Sequence, residues 1–391
     1  MSMTCVESNL KRSESLKIIA SSTGAVSRFQ TNAGDVYQIQ ARVLPFLIGF
    51  VYLVPIEGGW ALIDSGSGEL NSNADIESGF QVVRDEFDAS FSVEKIRHII
   101  LTHAHIDHFG GASEWSRRTG ADIWIHAFES RLVSAYDACA RVENMRYVQY
   151  LLESGVASED VQPILDGFGF KPGRAGQAPV SRKLYGGEEI YGMKFFYLPG
   201  HSAGHVAILF GDALISGDLL LSKTLSQVWP ARMVPQTGAL NYVFSLKELE
   251  RIAIAFEERF GKKLTVLPAH EEPITDIPRR VETALRSMER RNQRLLKILC
   301  EADAPLCLAE IARQMYWNGR PNREFFALSD VGCRVELLLQ LGILEIVDSE
   351  RLTNETPVLR YKALLSDAET AENTIQQVVR MYLARNNPDT I

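Results

Sequence analysis

The sequence has 391 residues, of which 46% are hydrophobic and 23% are charged, and its formal net charge is −8 at pH 7. This length predicts two or three globular domains. The negative charge disfavours tight binding to nucleic acid or anionic lipid, so we expect no DNA partner and no membrane partner. The five cysteines form no CxxC pair, and we find neither a signal-peptide pattern nor about 18 consecutive apolar residues. These features predict a cytoplasmic protein with reduced thiols.

The first part of the chain is predicted to alternate strands and helices. After an N-terminal segment, 1–35, strands are expected over 36–64 and a helix over 78–88. A buried strand over 95–101, a short helix closed by Gly120 and a strand over 121–128 follow. This alternation is typical of an α/β protein.

Residues 128–170 change character, because their apolar residues recur at helical spacing, and we interpret them as a helical insertion. Three more strands are predicted, each rich in apolar residues, over 193–200, 205–218 and 263–270. A loop over 219–238 and a helix over 242–261 separate the last two strands. The catalytic domain is therefore expected to span 36–278.

A second domain is predicted to begin after Pro278. Three helices and a β-hairpin are expected within 279–365, which together make a winged helix. Residues 366–391 begin with a capping-box spacing and place apolar residues on one helical face. Such a face needs a partner, either this chain or a second copy, so a homodimer through the C-terminal region is our hypothesis.

The segment LTHAHIDHFGG, residues 101–111, contains three of the eight histidines. His103 and His105 are two residues apart on a segment leaving a strand, so both imidazoles are expected to point the same way. Asp107 and His108 lie just beyond, where the chain turns. This spacing can supply two nitrogen ligands to one metal ion and a carboxylate and a nitrogen to a second. A surface histidine cluster without a role is the alternative.

Three other strand ends carry the remaining candidate ligands. His201 and His205 follow the strand over 193–200, Asp218 ends the strand over 205–218, and His270 ends the last strand. The carboxyl ends of strands form the edge where open α/β sheets place their chemistry. The sequence therefore predicts that these residues meet the first cluster.

The order HxHxDH, then His, Asp and His, resembles the pattern of the metallo-β-lactamase superfamily. This resemblance implies an αββα sandwich and, for Asp64, a role in orienting ligands through hydrogen bonds. It implies two metal ions, the first held by His103, His105 and His201, the second by Asp107, His108 and His270, with Asp218 bridging them.

Several alternatives to this ligand set stay open. His205 could replace His201, although the superfamily pattern selects the histidine that follows Pro-Gly. Asp218 could be a plain turn residue after Gly217. His126 and His98 are interpreted as supporting or structural residues.

Differences between this sequence and some branches of the superfamily reduce the number of substrate classes that we expect. The lactam-cleaving branch often places a cysteine on the second metal, and no cysteine lies near these strand ends. The all-His/Asp set resembles glyoxalase II, the acyl-homoserine lactonases and the tRNA-processing ribonucleases. Persulfide dioxygenases share the first motif but use a single iron. The arrangement with a C-terminal winged helix resembles a glyoxalase-II-like group that includes a mitochondrial lactamase-like endoribonuclease.

The resemblance thus predicts a dinuclear zinc hydrolase acting on a small-molecule acyl substrate, either a thioester or a lactone. Two zinc ions could share a hydroxide available near neutral pH, and Asp107 and Asp218 would have catalytic roles. Phosphodiester cleavage in RNA is the rival activity, and a DNA-binding regulator with a degenerate metal domain is the non-enzymatic alternative. The loop 219–238 and the helix that follows offer four candidates for substrate contacts, which are Lys223, Arg232, Trp229 and Tyr242.

Overall fold

Two β-sheets lie at the centre of the fold. The computed structural model describes residues 16–69, 71–168, 171–316, 324–347, 358–364, 373–374 and 376–378. In this part of the chain the first sheet has eight strands in sequential order, and its first five strands are antiparallel while β5 to β8 are parallel. Its strands are β1 Lys17–Ala20, β2 Val26–Gln30, β3 Asp35–Leu44, β4 Leu47–Ile56, β5 Gly59–Ile63, β6 Ile96–Ile100, β7 Asp122–His126 and β8 Val180–Leu184.

The second sheet has five strands in the order β13-β12-β11-β10-β9, with β12 and β13 parallel. Its strands are β9 Glu189–Ile190, β10 Met193–Tyr197, β11 Val206–Phe210, β12 Ala213–Gly217 and β13 Thr265–Pro268. Residues of both sheets share one apolar core, in which Ile63 and Ile100 of the first sheet meet Phe195 and Ile215 of the second. The sheets therefore pack face to face.

Helices cover the outer face of each sheet. On the first sheet, Ile76 of α1 (Ser72–Val82) and Trp115 of α3 (Ala112–Thr119) are buried against strand residues. On the second sheet the cover includes Leu246 of α7 (Ala239–Phe260). The short helix α2 (Ile106–Phe109) lies within the first histidine motif. This layering confirms the predicted α/β class and the αββα sandwich.

The predicted helical insertion consists of α4 (Ser130–Ser134), α5 (Tyr136–Glu153) and α6 (Ser158–Phe168). Tyr150 and Leu151 of α5 belong to the same apolar cluster as α7. The insertion is therefore packed into the body of the molecule. No helix in the described ranges is both long enough and apolar enough to cross a bilayer.

The described part of the C-terminal region includes three helices and a small antiparallel sheet in the order β14-β16-β15. The helix α8 begins after Asp276, whose carboxylate accepts the N–H of Arg279 at 3.3 Å. The elements are α8 Ile277–Glu301, β14 Leu306–Cys307, α9 Leu308–Tyr316, α10 Glu324–Gln340, β15 Leu344–Ile346 and β16 Arg360–Ala363. Residues 348–357, between β15 and β16, lie outside the described residues, and the winged helix stays a prediction.

The structure differs from the sequence-based boundaries in several places, among them the strand predicted over 205–218, which is divided into β11 and β12. Strands β1 and β2 precede residue 36 and pair with the sheet, because Val26 and Phe29 are buried there. Helix α1 begins at Ser72 instead of 78, and residues 83–87 form a single π-helical turn. The predicted boundary at Pro278 does not divide the core, since Val281 of α8 shares an apolar cluster with α7. The helix predicted over 366–391 lies mostly outside the described residues.

Candidate metal centre

Three imidazole nitrogens converge at one point beyond the ends of β6 and β10. Nε2 of His103 lies 3.0 Å from Nδ1 of His105 and 3.1 Å from Nε2 of His201. Nε2 of His201 lies 2.9 Å from Nδ1 of His105. Tetrahedral coordination with a Zn–N bond of about 2.05 Å separates ligand nitrogens by roughly 3.3 Å. The three histidines, called the first set below, therefore have nearly the spacing that a shared cation requires.

Hydrogen bonds on the far side of two of these rings fix their tautomers. Nδ1 of His201 donates to the carbonyl oxygen of Gln227 at 2.6 Å, which leaves the lone pair on Nε2. The hydroxyl of Thr102 donates to the carboxylate of Asp64 and lies 3.0 Å from Nδ1 of His103, so it accepts the proton of that nitrogen. Both Nε2 atoms therefore direct a lone pair toward the convergence point.

A second group, called the second set below, consists of Asp107, His108 and His270. Nε2 of His270 lies 3.3 Å from Oδ2 of Asp107, and Nε2 of His108 lies 3.6 Å from the same oxygen. Their Nδ1 atoms donate elsewhere, that of His270 to the carbonyl of Ile48 at 2.6 Å and that of His108 to Asp64 at 2.9 Å. Within the described residues, neither Nε2 atom has a hydrogen-bond partner.

Asp218 lies between the two sets. Its Oδ2 is 3.6 Å from Nε2 of His201, whereas its Oδ1 is 3.5 Å from Nε2 of His270 and 3.6 Å from Nε2 of His108. One carboxylate oxygen thus faces each set. This is the placement that a bridging carboxylate needs, and its position after β12 follows from the parallel pairing of β12 with β13, the strand that leads to His270.

Asp64 supports both sets from behind. It follows β5 with a φ of 59°, and its carboxylate accepts the N–H of Thr102 at 2.7 Å in addition to the hydroxyl of Thr102 and Nδ1 of His108. The residue is 1% exposed. A single buried carboxylate therefore orients His108 directly and His103 through Thr102, which is the kind of role that the sequence predicts for Asp64.

The alternative ligand His205 has a different partner. Its Nε2 accepts the backbone N–H of Asp218 at 3.1 Å, so that lone pair is already used. His126 stacks on Tyr197 with ring centroids 4.3 Å apart, and His98 packs against Trp124 at the same distance. The geometry thus places His201 among the candidate ligands and the other three histidines in supporting positions.

The charges of the two sets differ. Burial lowers the pKa of His105 to about 3 and lowers that of His103 well below its usual range, so both rings are neutral at pH 7. Burial also opposes charge on His270, but the carboxylates of Asp218 and Asp107 outweigh it and raise the pKa of His270 to about 9. The two carboxylates therefore favour a proton on His270, whereas burial keeps His103 and His105 neutral.

These observations test whether the residues fit metal ions. The first set offers three imidazole nitrogens at close range. The second set offers a carboxylate and two buried Nε2 atoms without a hydrogen-bond partner in the described residues. A nitrogen and oxygen donor set of this kind suits zinc and other divalent transition metals. The cluster therefore fits a metal site, and the seven residues named from the sequence are all brought together in it. Their individual roles as ligands stay predictions.

Sequence reasoning missed several residues that hold the ligands. The carbonyl groups of Ile48 and Gln227 accept protons from His270 and His201, and such backbone contacts leave no signal in side-chain identity. Glu129 is 3% exposed and accepts backbone N–H groups from both ligand loops. A carboxylate three residues after the end of an apolar strand was a signal that we could have used.

The structure places the four candidate substrate-contact residues in different surroundings. The ring of Trp229 lies 6.3 Å from that of His105 and is partly exposed beside the first set. Lys223 and Arg232 form ion pairs with Glu272 and Glu153. Tyr242 is 1% exposed and donates to the carbonyl of Leu219, so it belongs to the core and the expectation for it was wrong. Its position on the inner face of α7 is the reason.

A four-layer sandwich with a His/Asp cluster at the carboxyl ends of its strands defines a class of metallo-hydrolases. Residues 44–270 match the model of the Metallo-beta-lactamase superfamily. Because this match spans more than half of the chain, the protein belongs to the metallo-beta-lactamase superfamily, which confirms the resemblance seen in the sequence.

Individual relatives agree with this family. The chain is 22% identical over 306 residues to YqjP, named a probable metallo-hydrolase, from Bacillus subtilis, covering 75% of this chain and 89% of that protein. It is 23% identical over 199 residues to a hydroxyacylglutathione hydrolase from Shewanella pealeana, covering 51% and 56% of the two chains. The crystal structure of a metallo-beta-lactamase family protein from Thermus thermophilus aligns with a TM-score of 0.64 at 22% identity, covering 84% of this chain and 98% of that one. This last likeness concerns the fold.

Proposed function

We propose that the protein is a hydrolase with two divalent metal ions, zinc in the first instance, that cleaves an ester-like acyl bond in a thioester or a lactone. The observation that carries the proposal is the position of Asp218, which presents one oxygen to His201 and the other to His108 and His270. A carboxylate in this position suits two ions that act together.

Two divalent ions held by these sets would supply a hydroxide nucleophile near neutral pH and would polarise the scissile carbonyl group. The chain's own residues do the positioning. Gln227, Ile48 and Asp64 hold the outer nitrogens of His201, His270 and His108. The carboxylate of Asp107 lies 3.3 Å from Nε2 of His270 and is 12% exposed, so it is next to the second set and within reach of solvent. We assign proton steering to Asp107.

The surroundings of the first set favour an acyl substrate. Trp229 presents its ring edge-on to His105, with an interplanar angle of 85°. Phe326 of α10 lies next to it, with ring centroids 6.5 Å apart, and is 39% exposed. Aromatic surface of this kind offers apolar contact area to the acyl part of a substrate. The relationship to a protein named hydroxyacylglutathione hydrolase supports a thioester in particular.

The test is a panel of thioesters, lactones and labelled RNA, assayed with zinc-loaded protein. We expect turnover of a thioester or a lactone, its loss in His103→Ala, and its retention in His98→Ala, a matched histidine that packs against Trp124 away from the cluster. Cleavage of RNA without acyl hydrolysis would overturn the proposal in favour of a phosphodiesterase. One iron per chain with no zinc would favour the dioxygenase alternative.

A further inference from the structure

A buried carboxylate joins the two loops that carry the first set. Glu129 follows β7 and is 3% exposed. Its Oε2 accepts the N–H of Ala104 at 2.7 Å, and its Oε1 accepts the N–H of Gly204 at 2.9 Å. Ala104 lies between His103 and His105 in the chain. Each carboxylate oxygen therefore contacts the backbone of a different loop, and the loop of Ala104 carries His103 and His105.

The second contact lies on the other loop of the first set. Gly204 comes three residues after His201 and directly before His205, whose Nε2 accepts the N–H of Asp218. The loops belong to different sheets, since the first follows β6 and the second joins β10 to β11. Glu129 thus connects, through two hydrogen bonds, the elements whose separation sets the distance between His201 and the pair His103 and His105.

The chemistry of the contact requires a carboxylate. Both partners are N–H donors, so each oxygen must accept, and a carboxylate is an acceptor at both atoms. An amide would present an NH₂ group to one of the two donors, which would leave a buried N–H without an acceptor. Packing is close as well, because a Cβ atom at Gly204 would lie 3.0 Å from Cγ of Glu129.

From these contacts we infer that Glu129 is a positioning residue for metal binding, which sets the separation of the two loops and thereby the affinity of the first set. This inference rests on the proposed metal centre. Both hydrogen bonds described above go to backbone N–H groups, so the effect of Glu129 acts through the backbone of Ala104 and Gly204. Partners behind metal ligands typically change metal affinity by about 10- to 100-fold.

The experiment compares zinc retention by wild type, Glu129→Gln and Glu310→Gln in competition with a chromogenic chelator. Glu310 is a matched control, because its carboxylate accepts the N–H of Cys307 and an Arg360 N–H far from the cluster. We expect Glu129→Gln to hold one zinc ion as wild type does and to lose the other about 10- to 100-fold more readily. Excess zinc should restore its kcat, and Glu310→Gln should match wild type.

A second variant guards against misfolding of the first. Gly204→Ala keeps the carboxylate of Glu129, but the added Cβ would lie 3.0 Å from Cγ of Glu129 and from Cβ and Nδ1 of His126, so the loop must shift away from both side chains. We expect the same selective weakening of one zinc ion. Circular dichroism checks that each variant is folded. Unchanged affinities for both ions in the folded variants would overturn the inference while leaving the proposed function intact. A wild type that binds no divalent metal would overturn both.

Discussion

The thiol of Cys333 donates to the carbonyl oxygen of Val228 at a distance of 3.1 Å. Val228 directly precedes Trp229, and Cys333 lies on α10 of the C-terminal region. In the same segment the carboxylate of Glu336 accepts the N–H groups of Ala231 and Arg232 at 2.6 and 2.8 Å. A helix that the family match does not cover therefore holds residues 226–232, called the anchoring loop below.

The anchoring loop also reaches the metal centre. Its residue Gln227 accepts the proton of His201 Nδ1, and the hydroxyl of Ser226 lies 2.8 Å from the same nitrogen. Hydrogen bonds thus join α10 to the anchoring loop, and further hydrogen bonds join that loop to His201 of the first set. A contiguous series of hydrogen bonds of this kind can carry energetic coupling between the C-terminal region and the first set.

The first prediction tests this link. Glu336→Gln keeps one acceptor but turns an NH₂ group toward Ala231 or Arg232. The loss should be larger at the part-buried N–H of Ala231 than at the exposed N–H of Arg232, with about 1–3 kcal/mol, the cost of a fully buried unpaired N–H, as its upper bound. We expect a lower melting temperature and weaker zinc binding, measured by thermal denaturation and chelator competition. Glu345→Gln on β15, where the side chain is exposed, should behave as wild type. Loss of stability with fully retained zinc affinity would show that the loop does not position His201.

The second prediction separates His201 from His205. His201→Ala should bind one metal ion fewer and lose nearly all turnover, because Nε2 of His201 lies within 3.1 Å of both other nitrogens of the first set. His205→Ala should keep its metal content, with a stability loss of about 1–3 kcal/mol for the unpaired N–H of Asp218. Elemental analysis of both purified variants measures this. Metal loss in His205→Ala alone would reverse the assignment.

The third prediction concerns metal content and removal. Because two sets share Asp218, we expect close to two metal ions per chain and loss of activity on chelation. Removal should also lower stability, since a bound ion stabilises only the folded state, by about 2.7 kcal/mol when its free concentration is about 100 times its Kd. Thermal denaturation with and without zinc measures the shift. An unchanged melting temperature on chelation would contradict it.

The fourth prediction is a pH dependence located in the C-terminal region. Burial would raise the pKa of Asp330, but the guanidinium of Arg334, 2.8 Å away, outweighs it and lowers that pKa. For an acid with a lowered folded pKa, the stabilisation is present above the unfolded pKa of about 3.9 and is lost as the pH falls through the folded value.

Removing that carboxylate should therefore matter only where it is ionised. Asp330→Asn should destabilise the protein at pH 7 by about 3 kcal/mol, the lower end of the range for breaking a buried pair, since the side chain of Asp330 is 20% exposed. The gap from wild type should shrink as the pH is lowered toward about 3, below the unfolded pKa. Urea denaturation at several pH values measures this, and a gap that stays constant would exclude the ion pair as its cause.

The fifth prediction concerns removal of residues 278–391. Buried residues of α8 and α10, among them Leu295 and Leu338, share one apolar cluster with α7 and α5. Each such side chain contributes about 1.5–3 kcal/mol by burial, so the truncated protein should be insoluble or unfolded. The full chain should show no duplex DNA binding that falls steeply with salt. A folded, active truncation that loses DNA binding would show that the C-terminal region is an independent DNA-binding domain.

The sequence by itself determined most of the order of elements and, together with the family resemblance, the seven candidate ligands. Apolar strands have a strong period, and each of the residues His103, Asp218 and His270 closely follows such a strand, so their meeting at one edge of the sheets could be predicted. The common direction of the His103 and His105 side chains could likewise be predicted, because side chains two residues apart in an extended chain point the same way. These are local patterns, which depend on few residues.

Only the tertiary structure gives a geometric reason to prefer His201 to His205 as a candidate ligand, and only the tertiary structure identified Glu129 and the anchoring loop. His205 Nε2 accepts the N–H of Asp218, a contact between the residue before β11 and the residue after β12 that the spacing of histidines in the sequence does not reveal. Glu129 acts on backbone groups of Ala104 and Gly204, 25 and 75 residues away, and any residue type other than proline offers such an N–H. The chemistry of a side chain can be predicted from the residue type, whereas backbone hydrogen bonds between distant loops depend on how the sheets and helices pack.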